Sequence, residues 1–369
     1  MRTIPKSIRN RAFRRVCIFF CAFITMRHEN FKNTDGDAEE PDPLPELIER
    51  STEYDTFVGG LVHNSEQYLC LYGSRGTGKT LLTCHALAAL PDHTTRCYLS
   101  CITHNTHYKV LTALYTALTG EKPTTGYHTA QLSEAITDAL TGQDLVLVLD
   151  DIDFLLLNDG SDLLYYLSRI DEEHAPQVMM ISANHPELSE QIDDRIYSSL
   201  LPYTVYLGPY TEDEAIHVLN IRVDDWLNQS VTDATFSHIA TTSSNIQLGR
   251  HWLTVAAEIV DGEITEDVIR LVESDARQRY QQQLLEPFTQ HHNLLMDTIE
   301  LLAADTEPIR SGAIYDWYRD LCHQNNTEPR STRRLSDYLK HLELLDLIRT
   351  EYQYGGEDGK THHVWLQEF

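Results

Sequence analysis

The sequence predicts an α/β domain built on a parallel sheet, then a helical segment, then a small C-terminal domain of three helices and a β-hairpin. Three observations predict it. An apolar strand runs into a glycine-rich loop and a helix at 68–90. A second apolar strand ends in acidic residues at 144–151. Near the C-terminus, helical-period segments precede two strands flanking a Gly-rich turn. The chain has 369 residues, 41% of them apolar, which suits two or three domains with real cores.

The first strand, Tyr68–Tyr72, leads into Gly73-Ser74-Arg75-Gly76-Thr77-Gly78-Lys79-Thr80 and a helix over Leu81–Leu90. Strand, G-x-x-x-x-G-K-T, helix is the arrangement in which backbone N–H groups and a helix N-terminus wrap phosphates. Lys79 is expected at the β- and γ-phosphates and Thr80 on Mg²⁺. The bound nucleotide is expected to be ATP or ADP. Asp144–Asp151 supplies the second half of such a site. Its apolar run fits a central parallel strand buried on both faces. Asp150 at the strand end would order the Mg²⁺ shell, so the expected metal residues are Thr80 and Asp150. Asp151 stands where a water-activating carboxylate is usual. A third strand, Val178–Ser182, ends at Ala183-Asn184, where an amide could orient the attacking water. Arg195 follows, placed to neutralise γ-phosphate charge, often in a neighbouring subunit.

Composition adds constraints. Basic residues number 29 and acidic residues 56, a net charge of −27, which excludes nucleic-acid binding by bulk positive charge. Only seven of the basic residues are Lys. This acidic, Lys-poor balance points to solubility in concentrated salt. Seven cysteines with no CxxC pair argue for a reducing cytoplasm rather than a disulfide framework. Cys97, Cys101, His104 and His107 are metal-capable types, but no second ligand pair follows at zinc-finger spacing.

Residues 1–25 hold six basic residues and no acid, followed within them by the apolar run Val16–Phe23. The run is too short to span a membrane. The expectation is a mis-assigned upstream start, with Met26 the true one; a signal peptide or membrane anchor is the alternative. Residues 1–44 as a whole read as a disordered lead-in.

In the C-terminal part, Leu294–Ala304, Ser311–His323 and Ser331–Leu342 read as helices, and Leu345–Tyr354 with His362–Leu366 as a hairpin. Three helices and a hairpin make a winged helix, whose third helix enters the major groove in helix-turn-helix modules. Arg330, Arg333, Arg334 and Lys340 form the densest basic cluster after residue 25, although 286–369 holds eight basic against fifteen acidic residues. These four are the candidate DNA-binding residues.

The series Leu149-Asp150-Asp151-Ile152-Asp153, Asp162–Leu167, Ile181–Asn184, Arg195–Leu200 and Pro209-Tyr210 resembles the archaeal relatives of the origin recognition complex's first subunit and of cell division control protein six. The resemblance runs from about Pro45 to the C-terminus, and the acidic composition fits a haloarchaeal member. It implies an AAA+ P-loop ATPase base with a parallel sheet over 45–208, a small helical lid over 209–285 and a winged-helix domain over 286–369. Pro209-Tyr210 would open the lid, with helices over Glu212–Leu227 and Thr232–Ala240, and Tyr210 and Arg250 would join the nucleotide-binding residues. The helical insertion after the second strand, roughly Thr103–Leu118, would touch DNA.

Three positions depart from that family's pattern. Asp151 replaces the usual Glu. Gln247 falls where the lid's arginine sensor is expected, with Arg250 one helical turn on. Ser74-Arg75 occupy loop positions that are more often apolar or small. The resemblance implies a cytoplasmic, nucleoid-associated replication initiator with slow ATP hydrolysis as a switch. Its partners would be double-stranded origin DNA, the replicative helicase and other copies or paralogues, with no membrane. Two alternatives stay open: a paralogous DNA-binding regulator with a decayed ATPase, and an AAA+ protein whose winged helix binds protein.

Overall fold

The computed structural model describes residues 44–63, 66–124, 126–158, 160–171, 174–183, 188–243, 245–354 and 360–367. The expectations for residues 1–43 and for Asn184 therefore lie outside the described residues. The chain divides into two compact units, with the boundary between Gly208 and Pro209.

The first unit opens with α1 (Ser51–Val58) and a π-helical turn (Gly59–His63). Next come β1 (Tyr68–Tyr72), α2 (Lys79–Ala88), β2 (Thr95–Ser100), α3 (His107–Thr119), α4 (Thr129–Leu140) and β3 (Leu145–Asp150). After these come α5 (Ile152–Leu156), α6 (Ser161–Leu167), β4 (Gln177–Ser182), α7 (Leu188–Gln191), α8 (Asp194–Leu200) and β5 (Tyr203–Tyr206). The five strands form one sheet in the order β2-β3-β4-β1-β5. All the pairings are parallel, with Leu71 opposite Ile181 and Leu149 opposite Met180.

Parallel pairing requires a crossover between strands, and the crossovers cover both faces of the sheet. Leu69, Leu71, Val146, Val148, Met179 and Ile181 pack on one face with Phe57, Leu61, Leu82 and Leu87. By the two-residue period of a strand, the buried Cys70, Leu147, Leu149, Val178 and Met180 line the other. The run at 145–149 is apolar throughout because β3 is central.

The second unit begins with α9 (Glu212–Trp226), α10 (Asp233–Thr242), α11 (Ile246–Ile259) and α12 (Glu266–Leu285). These four helices bury Phe236, Trp252, Leu253, Ile269 and Tyr280 among others. Gly249 sits in α11 where a Cβ would lie 2.7 Å from the Ile239 side chain, so it permits the close approach of α10. A three-helix module follows: α13 (Gln290–Ala303), α14 (Ser311–Gln324) and α15 (Thr332–Leu344). Its antiparallel sheet orders β6 (Ile309–Arg310), β8 (Lys360–Leu366) and β7 (Ile348–Tyr354). In α15, Leu335, Leu339 and Leu342 are buried at helical spacing.

Two boundaries differ from expectation in an instructive way. Helix α2 starts at Lys79 rather than Leu81, because Gly78 (φ 92°) caps it directly from the loop. Helix α13 starts at Gln290 rather than Leu294, since His291 and His292, polar in sequence, are only 7% and 3% exposed.

Candidate functional site

The loop between β1 and α2 has a backbone that only glycine can supply. Gly73 has φ 152°, and a Cβ there would sit 2.0 Å from the Leu207 carbonyl oxygen. Gly78 takes a left-handed φ at the start of α2, which leaves the helix N-terminus open to the loop. Thr77 Oγ1 donates to the Ser74 carbonyl at 3.0 Å and steadies the turn. The buried Lys79 Nζ donates to the loop's own carbonyls, Gly73 at 2.7 Å and Ser74 at 2.6 Å. Burial, then the neighbouring Arg75, pushes the Lys79 ammonium down to about 8. A cation curled onto carbonyl dipoles inside a glycine turn has the chemistry of a site for a multiply charged anion. A nucleotide's phosphates with Mg²⁺ fit this donor set.

The end of β3 supplies the opposite charge. Asp150 Oδ2 accepts from Thr80 Oγ1 at 3.3 Å and from the Tyr98 hydroxyl, while Oδ1 accepts from Asp151 N–H at 3.0 Å. Burial, then the Asp151 charge, pushes the Asp150 carboxyl up to about 6. A buried carboxylate next to another carboxylate is a natural cation site, because a divalent ion relieves both penalties. Asp151 takes a left-handed φ of 53°, and its Oδ1 lies 3.3 Å from an Arg75 Nη. Thr80 and Asp150 could therefore hold the metal, and Asp151 sits beside them.

Asp153, in the first turn of α5, is 3% exposed. It accepts from Ser182 Oγ at 2.9 Å, Ala183 N–H at 3.1 Å and Gln191 Nε2 at 3.2 Å. It therefore fixes the end of β4 that leads to Asn184. Arg195, at the start of α8, is exposed, with its N–H bonded to Asp193 Oδ1 at 2.9 Å. Among the described residues, no group of three His, Cys, Asp or Glu side chains is placed to hold a metal ion.

In the second unit, Tyr210 is half-buried just before α9, which Thr211 and Glu214 begin with a reciprocal capping box. Gln247 is exposed in the first turn of α11. The Arg250 guanidinium lies 5.4 Å from the centre of the Trp226 ring. In the C-terminal module, Arg333, Arg334 and Lys340 are exposed on α15. Arg330, also exposed, anchors its Nε on His291 Nε2 at 2.9 Å.

The comparisons with known proteins divide along the same line. A family model for an AAA domain matches residues 62–192, and one for the CDC6 C-terminal winged helix domain matches 283–368. An ORC1-type DNA replication protein 1 from Methanothermobacter thermautotrophicus is 27% identical over 353 residues, covering 89% of this chain and 90% of the relative. The chain is similar to the ORC1/CDC6-type AAA+ proteins in both of these regions. Two solved structures share the fold. The Aeropyrum pernix ORC1 protein, solved in complex with DNA, aligns with a TM-score of 0.67 at 24% identity, covering 89% of this chain and 92% of that one. The ORC2 protein of the same organism, solved as ADPNP-ADP complexes, aligns with a TM-score of 0.53 at 19% identity, covering 89% and 92%.

Within this ORC1/CDC6-type fold, three site residues escaped the sequence reading. Arg50, 3% exposed, donates from Nε to the Thr77 carbonyl at 3.2 Å and from Nη to the Gly208 carbonyl at 2.7 Å. It ties the phosphate loop to the last residue of the first unit. Tyr98, in β2, donates to Asp150, and Asp153 holds the β4 end. Tyr98 and Asp153 lie one strand or one turn from a recognised motif, so only the sheet order could expose them. Arg50 lies 27 residues before its partner Thr77, in a segment with no chemical signature.

Proposed function

We propose that this chain is an ATP-binding initiator of DNA replication that recognises double-stranded origin DNA through 286–369 and helps recruit the replicative helicase. The observation that carries this is the union, in one chain, of a glycine-built phosphate loop facing an acidic strand end and a winged helix with a locally basic third helix. The solved relative in complex with DNA and the replication names of the curated relatives support it.

The loop and strand-end geometry supports the following roles. The loop N–H groups and the α2 N-terminus bind the β-phosphate region. Lys79 turns from the Gly73 and Ser74 carbonyls to the phosphates, which replaces two neutral acceptors with charged ones. Thr80 and Asp150 hold Mg²⁺, which when bound neutralises phosphate charge. Asp151 and Asn184 would orient the attacking water, and Arg195 would supply charge to a neighbouring copy's nucleotide. Tyr210 and Arg250 would contact the nucleotide from the lid. Turnover is slow, because Asp151 is one methylene shorter than Glu; in the nucleotide-free site Arg75 also holds it. That ion pair favours a second reading, a paralogous regulator that binds nucleotide without hydrolysing it usefully.

Arg333, Arg334 and Lys340 would meet the DNA backbone and groove. With a net charge of −27, non-specific attraction is weak, so recognition must rest on shape and base contacts in a salt-rich cell. Two measurements test the reading. Lys79→Ala should abolish nucleotide binding; retention at the wild-type level would refute the site. Genomic occupancy mapping should give one sharp peak at an origin; many promoter peaks would favour the regulator, and no peaks would remove DNA as the partner.

A further inference from the structure

Two of the three departures from the family pattern lie in contact. Arg75 is the third residue of the phosphate loop, and Asp151 follows the metal-binding strand end. Their side chains meet at 3.3 Å and are only 14% and 21% exposed. Asp151 reaches this position through a left-handed backbone at φ 53°, tolerable for Asp but not free of cost. The shortened acid and the long base thus form one unit.

Several features make the pair a switch rather than a strut. The contact is a single hydrogen bond at the long end of the range, between groups that could form a two-bond fork. Arg75 and Lys79 are close enough that Arg75 is the largest charge effect lowering the lysine. The loop therefore holds two cations with Asp150, Asp151 and Asp153 close by. An anion seated in the loop would be attracted by both cations. Guanidinium binds phosphate oxygens in fork geometry and prefers the more highly charged partner.

We propose that Arg75 is a γ-phosphate sensor in its own subunit. It holds Asp151 while the γ-position is empty and exchanges Asp151 for the γ-phosphate when ATP is bound. The exchange frees the Asp151 carboxylate to orient water only when there is a γ-phosphate to attack. ADP leaves the Arg75–Asp151 pair intact. The inference rests on the nucleotide-site reading above and adds to it the residue that distinguishes ATP from ADP.

The test measures binding and stability, not turnover. Dissociation constants for ADP and for β,γ-imido ATP are measured with Mg²⁺ for wild type, Arg75→Gln and Arg75→Lys. Arg75→Gln should weaken the ATP analogue about tenfold relative to ADP, the worth of one charge-assisted hydrogen bond. Arg75→Lys should recover part of that ratio. In nucleotide-free protein, Arg75→Gln and Asp151→Asn should each lower the melting temperature. The double mutant should melt no lower than the worse single mutant, because both changes break the same contact. Saturating β,γ-imido ATP should remove that coupling, and ADP should leave it. An unchanged ATP:ADP ratio in Arg75→Gln, or additive melting shifts, overturns the proposal. Wild-type protein that binds neither nucleotide overturns the nucleotide site itself, and the sensor with it.

Discussion

Acid should loosen the winged-helix module through His292. This histidine is 3% exposed under α15, between the rings of Tyr338 (centroids 4.1 Å apart) and Phe288 (4.9 Å). It shares hydrogen bonds of 3.0 Å with His341 Nδ1 and with Thr289 Oγ1. Burial, then the His341 charge, pushes it from 6.5 down to about 3. The sign follows from proton counts. Between about 3 and 6.5 the unfolded chain binds a proton there that the folded chain does not, so stability falls as pH falls through that window. At pH 5 the unfolded form is favoured by about 1.5 pH units of protonation, or about 2 kcal/mol, and at pH 7.5 by almost nothing. His291 and His341 are lowered as well and add in the same direction. His292→Phe keeps a ring between Tyr338 and Phe288 but loses both hydrogen bonds, at a cost of about 1–2 kcal/mol near pH 7.5. Its deficit against wild type should shrink by about 2 kcal/mol on going to pH 5. Hydrogen exchange of peptides from α13 and α15, corrected for intrinsic rates at each pH, reads the local opening energy. A deficit that stays constant between the two pH values would refute the argument.

Two further outcomes follow from the same structure. Gly73→Ala forces a Cβ to 2.0 Å from the Leu207 carbonyl and a strained φ, so it should destabilise the first unit by more than about 3 kcal/mol, read as a lowered melting temperature; a shift under a degree would mean the loop can relax. Arg333→Ala and Arg334→Ala should weaken DNA binding across sequences, each reducing the slope of log K against log salt by about one; an unchanged slope would place these residues off the phosphates.

The sequence made the chemistry of the fold legible where residue type and spacing coincide. Gly73, Gly78 and Lys79 are read directly from their motif, and β1 spans the predicted residues, Tyr68–Tyr72. Central strands are equally legible, because burial on both faces forces an unbroken apolar run such as 145–149. Legibility failed where a polar residue is buried by local pairing. His291 and His292 look like linker, yet they are core, satisfied by Tyr318, Arg330, Thr289 and His341. It failed again for β6, whose two residues are too few to show a period. Arg330 shows the same ambiguity from the other side. Charge alone makes it a candidate DNA contact, and its Nε is also tied to His291 and its N–H to the Tyr318 hydroxyl.

The departures from the family pattern are where sequence and structure argue differently. Read in sequence, Asp151 and Arg75 are two separate departures from the family pattern. In space they are one ion pair, and residues that act as a unit do not add. A shortened carboxylate is a defect if nothing fills the gap behind it. With a guanidinium reaching across from the loop, the same carboxylate has a defined resting position and a defined partner to leave. The energetic question then changes from how much catalysis was lost to what displaces the arginine. An anion of higher charge than a carboxylate, delivered into the loop that Arg75 belongs to, would compete for the guanidinium. On the proposal above, ATP-dependent release of Asp151 would follow from that single contact, whereas independent decay of the loop and the acid would leave neither group specific for the other.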